Sequence, residues 1–200
     1  MTTNVNSSEV SFKVLNQDLI EGCKSGDQRA QFQIYKLYYK AMYNSSLRIV
    51  NNRMEAEDIM QESFLSSFEK IDTYSGTVSF GAWLKKIVIN RSLDSLRKGR
   101  KEIFEDIESL PDLEVEENYD FFPEEEQQTI LGETMEAIER LPEKYRIMIS
   151  LNLLEGYDHD EIGEILSISS GTSRSLLSRA IRKLRVEIGE KRTYRVFLGS

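Results

Sequence analysis

Four arginines near one end of the chain, Arg174, Arg179, Arg182 and Arg185, recur with Ser175 and Ser178 among them. Guanidinium groups bind phosphate oxygens and the edges of guanine, and short serine side chains let a helix backbone approach a groove closely. At helical spacing Leu177, Ala180, Ile181, Leu184 and Ile188 fall on the opposite side, so the spacing predicts an amphipathic helix with a basic, serine-rich outer face. A solvated helix fits this spacing equally well. What precedes it favours DNA. Asp158 and Glu161 have capping-box spacing, Ile162, Ile165 and Leu166 face inward on a short helix, and a tight turn runs from Ser167 to Ser170. Two helices joined by a short turn, the second basic, form the helix-turn-helix pattern. Leu176 lies at the boundary of the two faces, where it either packs on a neighbour or meets a thymine methyl group.

Two further constellations lie in the first half. Lys86, Asn90, Asp94 and Arg97 form one polar stripe, bordered by Trp83 and made basic at its end by Arg97, Lys98, Arg100 and Lys101. A basic stripe beside an aromatic ring suits bases removed from the stack. A core tryptophan on a helix with a charged end is the simpler account of the spacing alone. Glu57, Asp58, Gln61, Glu62 and Leu65 share another helix face. An acidic face repels phosphate, so it suits a protein partner or plain solvent.

Other chemistries find little support. With one cysteine, Cys23, and one histidine, His159, the chain has no intramolecular disulfide, no multi-cysteine zinc site and no basis for a histidine triad. There is no phosphate loop and no nucleophile–base pair. The expectation is a protein that is no enzyme, with no catalytic residue, metal, cofactor or small-molecule substrate. The N-terminal "MTTNVNSSEVSFKV" has no basic start followed by an apolar run, and no stretch reaches membrane-spanning length. A soluble, cytoplasmic protein without membrane insertion is therefore expected.

The elements that must position these residues are helical, for strand and hairpin signals are nearly absent. The 26 basic and 34 acidic residues are unevenly spread. Residues 1–98 carry 13 basic and 11 acidic side chains, residues 99–140 carry 3 and 15, and residues 141–200 carry 10 and 8. The central acidity, with two of the three prolines in "ESLPDLEVEENYDFFPEEEQQ" (108–128), reads as a linker between two domains. Asp27 is the expected N-cap of a helix whose stripe is Phe32, Tyr35, Tyr39, Met42, Ser46 and Val50. A second helix buries Met60, Phe64, Phe68 and Ile71; "DTYSGTVS" (72–79) interrupts, and Ser79 caps a third helix. Beyond the linker, one helix ends near Leu141, and Pro142 opens another that carries Ile147, Leu151 and Leu154 and stops at Gly156.

The stretches "AEDIMQESFLSSF", "FGAWLKKIVINRSLDSLRK", "LPEKYRIMISLNLLEGYDHDEIGEIL" and "GTSRSLLSRAIRKLR" together resemble the sigma-70 family of transcription initiation factors, in its extracytoplasmic-function (ECF) group. The resemblance implies an all-α protein of two small helical domains, a region 2-like bundle and a region 4-like helix-turn-helix domain, joined by the acidic linker. The boundaries it implies are a tail at 1–14, region 2 at 15–101, a linker at 102–131, region 4 at 132–190 and a tail at 191–200. It implies a factor that binds core RNA polymerase and directs it to promoter DNA, with an anti-sigma protein as a further class of partner. It assigns core-polymerase binding to Asp58, Gln61, Glu62, Leu65 and Phe68. It assigns reading and melting of the minus-10 element to Tyr74, Ser75, Gly76, Trp83, Lys86, Asn90, Arg97 and Lys98. The minus-35 element falls to Thr172, Arg174, Ser175, Ser178, Arg179 and Arg182. Ser173, Leu176 and Ser167 depart from the family, which more often has valine, arginine or lysine, and glycine at these places.

Overall fold

The computed structural model describes residues 17–99 and 124–198, and all of its regular structure there is helical. The chain divides into two compact units, Met1–Ser95 and Leu96–Ser200.

The first unit is built on helices α1 (17–24), α2 (Gln28–Val50), α3 (Arg53–Glu69) and α4 (Phe80–Gly99). Polar residues set where each begins. Asp27 caps α2 by accepting from the Arg29 N–H at 2.8 Å. Asn51 takes the left-handed conformation that ends α2, and Asn52 at once caps α3 by accepting from the Met54 and Glu55 N–H groups. Ser79 Oγ accepts from the Ala82 N–H at 3.2 Å at the start of α4. A short 3-10 turn, Ile71–Thr73, separates α3 from the loop before α4. A Cβ at Gly22 would come within 2.7 Å of the Ala30 Cβ, so glycine there is what lets α1 and α2 approach.

The core of this unit joins Ile20, Ile34, Met42, Met60, Phe64, Leu84 and Val88. Its α2 stripe differs from the sequence expectation: Ile34 is buried, whereas Phe32 is 54% exposed, with the Lys36 ammonium over its ring. The stripe on α2 is therefore centred on Ala30, Ile34 and Met42. Buried serines fill the tightest crossings, where Ser92 Oγ meets Ser46 Oγ at 2.9 Å and Ser63 Oγ donates to the Ile59 carbonyl. Small side chains let helices pack closely, and their hydroxyls stay satisfied by the helix backbone.

The second unit contains α5 (Glu124–Arg140), α6 (Glu143–Ile149), α7 (His159–Leu166) and α8 (Ser170–Leu198). Helix α5 begins at Glu124, within the segment expected to be linker. Helix α8 runs on to Leu198, through a stretch without proline, where a tail from 191 was expected. Residues 1–16 and 100–123, which hold the N-terminal tail and most of the acidic linker, lie outside the described residues.

After α6 the backbone widens into a π-helical stretch, Ser150–Leu154. This turns Leu153 and Leu154 outward, so Leu154 does not join the core as its spacing predicts. Gly156, at φ 80°, then reverses the chain toward α7. The core gathers Ala137, Ile138, Leu141, Ile149, Ala180 and Leu184. Arg146 is also buried; its Nη1 donates to the Leu141 carbonyl at 3.4 Å, and burial lowers its pKa from the ordinary arginine value.

Candidate functional site

The helix-turn-helix is assembled by local chemistry. The Asp158 carboxylate accepts from the Asp160 and Glu161 N–H groups at 2.9 and 2.8 Å, and the Glu161 carboxylate accepts from the Asp158 N–H at 2.9 Å. This is the capping box that the spacing predicts for α7. Ser167 ends α7 in the left-handed conformation at φ 59°. Gly163 admits the turn closely: a Cβ there would lie 2.9 Å from the Ile168 carbonyl oxygen. Ser169 Oγ accepts from the Thr172 N–H at 3.0 Å and thereby starts α8.

The two faces of α8 are rotated from their expected positions. Arg174, Arg182 and Arg185 are exposed, while Thr172, Ser175 and Ser178 are half-buried beside them. Leu176, however, is 1% exposed, and Arg179, expected outward, is 8% exposed. The buried side of the first turns is Ser173, Leu176 and Ala180; farther along it is Leu184, with Leu177 and Ile188 packed against the core. A face assigned from apolar residues alone misses Ser173 and so drifts toward Ile181. Leu176 thus packs inside the unit, and its alternative as a thymine contact drops out. Arg179 is covered and takes part in an interaction within the chain. The Thr172 hydroxyl lies 2.7 Å from Ser169 Oγ, so it serves the helix start.

In the first unit, Tyr74, Phe80 and Trp83 form a three-ring cluster with centroids 5.4 to 5.5 Å apart. Offset and edge-on contacts of this kind are favourable and directional. The loop between them is drawn closed by the Tyr74 hydroxyl, which donates to the Val78 carbonyl at 2.7 Å. Gly76 lies at its tip with φ 78°, and the Ser75 and Thr77 hydroxyls are 3.0 Å apart. Trp83 packs on the core yet stays half-exposed, so it serves the fold and also borders the surface. Along α4, Lys86, Asn90, Arg97 and Lys98 are all exposed.

The acidic face of α3 is open as expected. Asp58, Gln61 and Glu62 are exposed, and Leu65 is 65% exposed although apolar. Phe68 is half-buried against the core, at a centroid distance of 6.1 Å from Phe64. Glu62 pairs with Arg91 at 3.0 Å, and Gln61 donates to Glu57 at 3.4 Å. The exposed apolar residues Met54, Val78 and Leu153 and the contact of His159 with Ser173 carry no signal in the sequence. Exposed apolar side chains give no periodic signal, and the His159–Ser173 pair spans two helices. Among the described residues no cluster of candidate metal ligands occurs, and no helix is long and apolar enough to cross a membrane.

The family description Sigma-70 region 2 matches residues 34–102, and Sigma-70, region 4 matches residues 131–184. The chain is 32% identical over 177 residues to the ECF RNA polymerase sigma factor SigW of Bacillus subtilis (strain 168), covering 84% of this chain and 94% of that protein. The chain belongs to the ECF sigma factors. An ECF sigma-E factor of Haemophilus influenzae is 31% identical over 84% of this chain and 92% of its own length. The fold agrees with solved structures. CnrH, solved with the cytosolic domain of CnrY, has a TM-score of 0.53 at 19% identity, over 88% of this chain and 98% of that one. The sigma factor RpoE of Bartonella quintana, solved with the anti-sigma factor NepR, has a TM-score of 0.52 at 20% identity, over 78% and 95%. An ECF sigma factor is a transcription initiation factor that works with RNA polymerase on promoter DNA, and it is not an enzyme.

Proposed function

We propose that this sigma factor divides promoter recognition between its two units, with the first docking on core polymerase and opening the minus-10 element and the second reading the minus-35 element. The observation that carries the reading is the open face of α8, where Arg174, Arg182 and Arg185 stand clear of a helix packed on its other side. Arg174 and Arg182 reach base edges or phosphates, while Ser175 and Ser178 keep the backbone close to the groove. Arg179 acts from behind that face, through its internal interaction. Thr172 contributes by starting the helix.

In the first unit, the loop at Tyr74, Ser75 and Gly76 takes a base turned out of the duplex, with the Tyr74–Phe80–Trp83 rings behind it. Unstacking a base costs a few kcal/mol, which stacking and hydrogen bonds in the loop offset. Lys86, Arg97 and Lys98 hold phosphates, and Asn90 lies on the same stripe. On α3, Asp58, Gln61, Glu62 and Leu65 meet the polymerase, with Phe68 setting the base of that surface. In this reading the functional domains span 15–101 and 132–190, and α5 begins within the segment that joins them. The factor works in the cytoplasm with polymerase, and an anti-sigma protein competes for the same surfaces.

The test is holoenzyme binding to a mapped promoter. Arg174→Ala is expected to cost about 1–3 kcal/mol of discrimination at one minus-35 position. Lys86→Ala is expected to weaken binding to all sequences alike and to reduce its salt dependence. Equal losses on intact and replaced minus-35 elements for Arg174→Ala would count against base reading by α8.

A further inference from the structure

The only histidine of the chain sits where three helices of the second unit meet. His159 Nδ1 lies 2.9 Å from Ser173 Oγ, joining the first turn of α7 to the first turn of α8. Ser173 Oγ also lies 3.9 Å from the Met148 sulfur on α6. Ser173 and Met148 are wholly buried, so the hydroxyl depends on these partners in place of water. A hydroxyl–imidazole hydrogen bond at this distance is much stronger than a contact to a thioether sulfur, which is at best a weak acceptor, whichever of the two groups supplies the proton. Ser173 is buried and His159 half-buried, and neither belongs to the proposed DNA-contacting set.

We infer that His159 is a positioning residue, which through Ser173 sets the rotation of α8 and hence the direction in which Arg174 and its neighbours meet DNA. The inference rests on the reading of α8 as the minus-35 reader. Ser173 immediately precedes Arg174, the first exposed arginine of that face. Turning a helix by about 10° about its axis moves its rim, about 5–6 Å out, by about 1 Å. A recognition group tolerates about 0.5 Å of misplacement. Apolar packing by Leu176 and Ala180 resists separation of the helices, but it is non-directional and only weakly opposes such a turn. The hydrogen bond supplies the missing directionality.

The test uses the full chain assembled with core polymerase. Transcripts are counted from two templates, a mapped promoter and the same promoter with its minus-35 element replaced and its minus-10 element intact. His159→Ala and Ser173→Ala are each expected to lower the ratio of the two outputs about five- to tenfold, the scale of one lost buried hydrogen bond. Output from the replaced template stays unchanged, and His159→Asn, which keeps a polar group near Nδ1, recovers part of the ratio. The double variant should be no worse than either single one. Ser173→Ala removes a single oxygen and keeps the fold, so it decides the matter should His159→Ala melt. A retained ratio, or equal loss on both templates, overturns the positioning role. Indifference of the unaltered factor to the minus-35 replacement overturns the minus-35 reading first, and with it the inference.

Discussion

Ser167 and Gly163 illustrate how single residues set the turn of the helix-turn-helix. Ser167 sits at φ 59°, where a side chain is strained, so Ser167→Gly is expected to leave stability unchanged or raise it by up to about 1 kcal/mol. Gly163→Ala should act oppositely, because its Cβ would press on the Ile168 carbonyl at 2.9 Å and the backbone would have to move. A loss of about 1–3 kcal/mol in thermal or urea unfolding is expected. Asp158→Ala should cost about 1 kcal/mol by the same measurement, since it strips α7 of its cap. Cys23 invites a different check. Burial, and then the nearby Asp27 carboxylate, push its thiol pKa up to about 11. The reactive thiolate is therefore scarce at neutral pH, and the sulfur is covered as well. The folded protein should resist alkylation at neutral pH and react promptly once unfolded; fast reaction of the native protein would contradict this placement.

Helix α3 offers the clearest prediction among the elements. Its outer face pairs exposed Leu65 with carboxylates, and neither supports the core beneath it. Leu65→Asp should lower the unfolding free energy by no more than about 1 kcal/mol. It should weaken core-polymerase binding tenfold or more, as measured by competition, because an apolar anchor carries a large share of an interface. How far elements were legible in the sequence depended on the kind of signal. Caps were read well, because Asp27, Ser79 and the Asp158–Glu161 pair act on backbone groups within three residues. Faces were read less well. Phe32 looked like core and is exposed, while Arg179 looked like surface and is buried. Burial depends on which helix lies opposite, and that is a long-range fact. The π-helical stretch after α6, which exposes Leu153 and Leu154, had no local signature either. For the candidate site this meant that Arg174 and Arg182 were placed correctly on the open face, whereas Arg179 was not.

For the molecule as a whole, the acidic balance conceals a division of labour. Of the 34 acidic residues, 15 lie in 99–140, leaving the flanking stretches mildly basic. Each unit then carries an exposed basic set, with Lys86 on α4 and Arg174, Arg182 and Arg185 on α8. Region 2 and region 4 in one chain describe a transcription initiation factor that works with RNA polymerase, and the exposed face of α3 is the surface proposed to meet it. A chain that bound promoters tightly by itself would be a repressor-like protein, with no task for α3. Run-off transcription with purified core polymerase, followed by mapping of the transcript start, separates these possibilities most directly. The expected result is a discrete transcript that requires both the factor and core polymerase and disappears with Leu65→Asp. Absence of any factor-dependent transcript, together with tight duplex binding by the chain alone, would contradict the account.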